Sequence, residues 1–120
     1  MPKSQTDAEQ WNKIVQFFKE NLTHGETPEL DTMLFLIGVQ ELGIGNKKFK
    51  KDEKVNLMHI AVCRLLEPYG YYRFTGKDPD GWPHFEIIEQ LPELKANEQT
   101  ILMKKAIIQY FKDQNIISEL

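Results

Sequence analysis

Cysteine occurs once in this chain, at Cys63, and serine twice, at Ser4 and Ser118. A lone cysteine excludes an intramolecular disulfide. It sits in the apolar run I-A-V-C-R-L-L, where cysteine behaves as a small buried hydrophobe, and no neighbour in sequence activates it as a nucleophile. Both serines lie near the termini, outside any G-x-S-x-G elbow, so the sequence offers no serine nucleophile. Long apolar runs are also missing. Nothing approaches the ~20 residues that span a bilayer, and the polar start M-P-K-S-Q-T-D-A-E-Q is not a signal peptide. A cytoplasmic location is the expectation. A large excess of one sign of charge is missing too: the formal net charge is -3, which gives no global attraction to nucleic acid or anionic membranes. A local basic patch remains open.

Metal ligands and phosphate loops are equally thin. The histidines are His24, His59 and His84, and none is read as half of a paired-ligand motif. His59 reads as a histidine at the core boundary. Asp78-Pro79-Asp80-Gly81 resembles part of a calcium loop but lacks its third oxygen ligand and distal glutamate, so it reads as a turn. G-I-G-N-K-K follows no strand and lacks the glycine–lysine spacing of a phosphate loop. Gly43 and Gly45 read as helix punctuation. No cofactor and no metal is expected.

What is present fits a folded domain. The 120 residues are 41% hydrophobic and 28% charged, proportions that argue against disorder. Folding at this length buries roughly two-thirds of the unfolded chain's surface, so one domain over residues 1–120 is expected.

Helical periodicity marks four helices. Thr6 and Glu9 have capping-box spacing, and Trp11, Ile14, Val15, Phe18 and Leu22 share one face up to Gly25. Thr27-Pro28 suits an N-cap followed by the first helical position. Met33–Val39 is apolar nearly all round, a buried helix in which Gly38 lets a neighbour approach. The third helix starts near Asp52 and points Val55, Met58, Val62 and Leu65 inward, flanked by Leu57, Ile60, Ala61 and Leu66. Pro68 and Gly70 end it. The fourth covers Asn97 to Asp113, extending back toward Pro92, with a broad apolar face from Ile101, Leu102, Met103, Ile107, Ile108, Tyr110 and Phe111.

Between the third and fourth helices the period changes. Tyr71–Thr75 and His84–Ile88 are rich in strand formers, and Asp78–Gly81 is turn chemistry. The connection is long for a hairpin, so a bulge or open loop is expected. Alternation puts Tyr72 on the side of Phe74 and Tyr71 on the other. The predicted fold is mainly α, four helices with a small β-hairpin inserted between helices three and four.

Three surfaces compete for function. The aromatic hairpin is the first: Tyr71, Tyr72, Phe74 and Phe85 with Trp82 as anchor, contacting another protein or a second copy, since tryptophan and tyrosine bury much area at low entropy cost. The second is a winged-helix-like nucleic-acid surface. It would use Lys47, Lys48, Lys50, Lys51, Lys54 and Asn56 at the start of the third helix, with Arg73 and Lys77 on the wing. Aspartates at the hairpin tip and the acidic whole weigh against it. The third is a small-ligand pocket using His59, His84 and the Asp78/Asp80 turn. At Leu57–Leu66 and Gly81-Trp82-Pro83-His84 the chain resembles short bacterial proteins of unknown function, a resemblance that implies no activity, cofactor or site residue. The first surface, on a non-catalytic module, is the expected one.

Overall fold

The computed structural model describes residues 7–44, 48–117 and 120. It is mainly α, with helices α1 (Asp7–Asn21), α2 (Leu30–Leu42), α3 (Lys51–Leu66) and α4 (Ala96–Asp113). An antiparallel hairpin, β1 (Tyr72–Lys77) with β2 (Pro83–Ile87), lies between α3 and α4. Thr6, Gly45 and Lys47 lie outside the described residues. The chain divides into two compact units: one holds α1 and α4, the other is the continuous stretch Glu29–Glu93.

In the first unit Phe111 of α4 meets Phe17 and Phe18 of α1, with ring centroids 5.6 and 5.7 Å apart. Ile14 and Phe18, one turn apart, are buried, as are Ala106, Ile107, Ile108, Tyr110 and Phe111. Burial in α4 therefore concentrates in its C-terminal half. Ile101, expected on the apolar face, is exposed, and so is Leu22 at the end of α1.

In the second unit α2 and α3 pack with their backbones almost in contact. A Cβ built on Gly38 would fall 2.1 Å from the Leu57 carbonyl oxygen, so only glycine fits and the expectation for this residue holds. α2 begins at Leu30 after Glu29, two residues later than Thr27-Pro28 predicts. Glu29 is itself extended, at φ −77° and ψ 162°, and takes the N-cap position in place of Thr27, so the helix starts only past it. Gly43 closes α2, its N–H donating to the Val39 carbonyl at 3.1 Å.

α3 starts at Lys51, where the Glu53 carboxylate accepts the Lys50 N–H at 2.8 Å. Its buried face is Leu57, Ile60, Ala61, Cys63, Leu65 and Leu66. Val55, expected in the core stripe, is 61% exposed, and Met58 and Val62 are only half-buried. The phase of the stripe is set by where Gly38 admits Leu57, which rotates the first turn of α3 outward. Leu42, Leu57 and Ile60 form an apolar cluster with Phe35, Val39, Phe49, Trp82 and Phe85 against it.

The hairpin register pairs Tyr72 with Ile87, Arg73 with Glu86 and Phe74 with Phe85, then shifts between Phe74 and Gly76. The expected bulge is thus at Thr75, whose hydroxyl donates to the His84 carbonyl at 3.1 Å. The backward extension of α4 toward Pro92 is not formed.

Candidate functional site

The hairpin is fastened to α3 from one side. Tyr72, Phe74, Phe85 and Ile87 share a face by alternation and register, and that face meets α3. Arg64 is its centre. Its guanidinium lies 5.1 Å from the Phe74 ring centroid and 5.0 Å from that of Phe85. The same group donates to Glu41 of α2 at 2.6 Å and to Glu67 at 2.5 Å. Burial alone pulls the Arg64 pKa down, but the bonds and charges of Glu41 and Glu67 outweigh it and the net shift is upward. The other Glu67 oxygen accepts the Phe74 N–H at 3.0 Å. One arginine therefore ties α2, α3, the turn after α3 and both strands together.

Nearer the start of α3, a cleft of about 440 Å³ opens between the helix and the hairpin tip. Asp52, Asn56, His59 and Cys63 line it from α3, and Asp78, Trp82 and His84 from the hairpin. His59 and His84 thus share a cleft, whereas His24 follows α1 in the other unit. Asp80 does not line the cleft.

The polar groups here are engaged with one another. Asp78 Oδ1 accepts the N–H groups of Asp80 and Trp82, each at 3.0 Å, and Oδ2 lies 2.9 Å from His84 Nε2. The hydrogen bond to His84, then that from Trp82, hold the Asp78 carboxyl below its usual range. Gly81, at φ +88°, supplies the left-handed residue that this tight tip requires.

His59 Nε2 lies 3.5 Å from Cys63 Sγ. The two stand four residues apart, a helical spacing that the sequence displays and the reading of unpaired histidines overlooked. Burial pushes the Cys63 thiol up to about 11, so it stays protonated and is a poor nucleophile. Burial, with Cys63 beside it, also raises the Tyr72 hydroxyl. Among the described residues no group of three His, Cys, Asp or Glu is placed to hold a metal ion.

The expected interface aromatics divide. Tyr71 and Tyr72 are half-buried, Tyr72 standing edge-on to His59 at 6.4 Å. Phe74 and Phe85 are taken up largely by Arg64. Trp82 is half-buried against the Leu42–Leu57–Ile60 cluster and edge-on to Phe49 at 6.4 Å, so much of its ring holds the hairpin tip to the helices. The aliphatic residues this region leaves open are Ile87 at 64%, Ile88 at 53% and Leu91 at 37% exposure, beside the rim of Phe74 at 36%. Sequence reasoning assigned Ile88 to a strand without giving it a role.

Among the expected nucleic-acid contacts, Lys48, Lys50, Lys51, Lys54 and Lys77 are exposed. Asn56 lines the cleft, and Arg73 forms an ion pair with Glu86 across the hairpin. Asp52 stands exposed among the lysines. No described helix is long and apolar enough to cross a membrane. Compared with known proteins, the chain matches no family model, no curated protein and no solved structure.

Proposed function

We propose that this chain is a non-catalytic, cytoplasmic interaction module that presents its hairpin to a protein partner. One observation carries the reading: consecutive isoleucines, Ile87 at the end of β2 and Ile88 just past it, stand mostly exposed beyond the part of the hairpin that Arg64, Phe74 and Phe85 fasten to α3. Single exposed apolar residues are ordinary. Two in succession at the end of a fastened hairpin offer an apolar contact on each of its faces. The lack of reactivity around Cys63 and the internal bonding of Asp78 support a binding role over a catalytic one. Trp82 and Phe85 then serve as the mounting of the surface, and Ile87 and Ile88 as its contact.

The test is site-specific photo-crosslinking in the native cell. A photoreactive residue at Ile88 is expected to give a discrete protein adduct, and one at Val55 is not. Equal labelling from both positions would refute the assignment. A second reading, nucleic-acid binding, is supported by the open first turns of α3 with Lys50, Lys51 and Lys54 at its start. Salt separates the two, because phosphate contacts weaken steeply as ionic strength rises and an apolar edge does not.

A further inference from the structure

The hairpin tip is closed by one residue, Asp78. Its N–H donates to the Trp82 carbonyl at 3.0 Å, and its carbonyl accepts the Gly81 N–H at 2.9 Å. Its Oδ1 accepts the N–H groups on either side, those of Asp80 and Trp82. Pro79 and Asp80 thus stand at the centre of a turn. Gly81 is left-handed at φ +88° and Asp80 is not, which makes this a type I turn followed by a glycine bulge. The third residue of such a turn, here Asp80, has ψ of about 0°. Asp80 is exposed, and its carboxylate has no partner among the described residues. The next nitrogen belongs to Gly81, which has no side chain to shield it and nothing within 4 Å of where a Cβ would stand. Aspartate before glycine is the pairing in which a backbone nitrogen most readily attacks a side-chain carboxyl. Asp78 itself precedes proline, whose nitrogen has no proton to lose.

We propose that Asp80–Gly81 is a site of spontaneous isomerisation, that Asp78 restrains it by holding the turn shut, and that the isomerised tip releases Trp82. The Gly81 nitrogen bonds to Asp80 Cγ, and the hydroxyl of the protonated carboxyl leaves with the amide proton as water. A water molecule then opens the succinimide ring. Opening at the Cγ carbonyl restores aspartate. Opening at the backbone carbonyl leaves isoaspartate, with the main chain running through Cβ and one methylene longer. Near ψ 0° the Gly81 nitrogen lies beside the Asp80 nitrogen and away from Cβ. Ring closure therefore needs a large rotation about the Asp80 Cα–C bond, which breaks the Gly81 bond to Asp78. The closed turn is unreactive, and reaction passes through the opened tip. The added methylene then spoils the spacing that lets Asp78 reach three successive amides, of which Trp82 is the last.

Ageing the protein in water enriched in heavy oxygen tests this. Each passage through the ring leaves a solvent oxygen on residue 80, and mass spectrometry of the tryptic peptide 78–95 reads it together with the isoaspartate. In mildly acidic buffer the parent should gain both slowly. Asp80→Glu, which keeps the carboxylate but needs a larger ring, should gain neither. Asp78→Ala should gain them about fivefold faster, the weight of one ordinary hydrogen bond. Asp78→Asn, whose amide oxygen still accepts both N–H groups, should stay near the parent. A free peptide of residues 76–86 gives the rate without the closed turn, so one check needs no variant to fold. The protein rate should approach the peptide rate as pH falls through the Asp78 titration. His84 faces Asp78 from the hairpin, and Asp52, Glu53, His59 and Cys63 from α3 across the cleft. In Asp78→Asn the approach should disappear, which assigns it to Asp78 and not to these neighbours. An unlabelled residue 80 in the native parent, or a protein rate equal to the peptide rate at neutral pH, overturns the proposal. So does an Asp78→Ala rate equal to the parent's with a rate ratio that pH does not move. A Trp82 amide resonance unmoved in the isomerised fraction overturns the release of Trp82.

Discussion

Two arginines serve the hairpin, one beneath it and one on top, and they teach different things about charge. Arg64 is 24% exposed, lies against two aromatic rings and is bonded to two carboxylates on separate elements. Arg73 is 68% exposed and meets a single carboxylate, Glu86, directly across the ladder. Both form ion pairs. Only the first stands where water replaces a lost partner less readily, and where the planar guanidinium also fills space between packed rings. The second competes with solvent on both sides and is screened by salt.

The largest effect should come from Arg64→Ala. It takes the guanidinium away from the partly buried Glu41 and Glu67 and removes the cation between Phe74 and Phe85. A loss of about 2 kcal/mol is expected in urea unfolding, between the effect of an exposed pair and that of a buried one. Arg64→Lys should recover only part of it, because an ammonium cannot reach both carboxylates as a planar fork. If Arg64→Ala cost no more than Arg73→Ala, the distinction between the two sites would collapse.

Glu67→Gln is milder. The amide oxygen still accepts the Phe74 N–H, but the charge-assisted bond to Arg64 is lost, at about 1 kcal/mol. Proton exchange at the Phe74 amide should stay slow in this variant and quicken in Glu67→Ala, which NMR would resolve. Arg73→Ala should cost no more than about 0.5 kcal/mol and should be undetectable in high salt.

The smallest effect concerns the hairpin tip. The Asp78 carboxyl titrates below its ordinary 3.8. A depressed carboxylate contributes fully above its unfolded pKa and loses that contribution as pH falls through the folded value. The tip bonds should therefore hold from neutral pH to about 4 and loosen below it. The Trp82 amide resonance is expected to report this, and in Asp78→Asn it should no longer titrate in that window. An Asp78→Asn profile identical to the parent's would place the titration elsewhere.

Much of the architecture was legible because its signals are local. The aromatic run, the Asp-Pro-Asp-Gly tip and a connection long for a hairpin announced a hairpin with a bulge or an open loop, and a glycine in the middle of Met33–Val39 announced a close helix approach. The phase of α3 was not legible. Val55 and Leu57 are equally apolar, and which one faces inward depends on where Gly38 lies on another helix. Arg64 was passed over for a related reason. Its i+3 partner Glu67 could have been read from spacing, but Glu41 lies 23 residues away, and no periodicity links them. The hold on the Phe74 amide depends on Glu67, a contact between a helix end and a strand that pattern alone does not supply.

The division of the chain has a kinetic consequence. The stretch Glu29–Glu93 is continuous, so its helix pair and hairpin need only contacts made within one span of sequence. The α1–α4 pair joins segments that flank that entire span. Closing so long a loop is entropically costlier and slower. As the chain leaves the ribosome, α2, α3 and the hairpin can be complete while α1 still waits for α4. During that interval the apolar stripe of Ile14 and Phe18 lacks its Phe111 partner. That is when the α1 stripe is most open to misassociation.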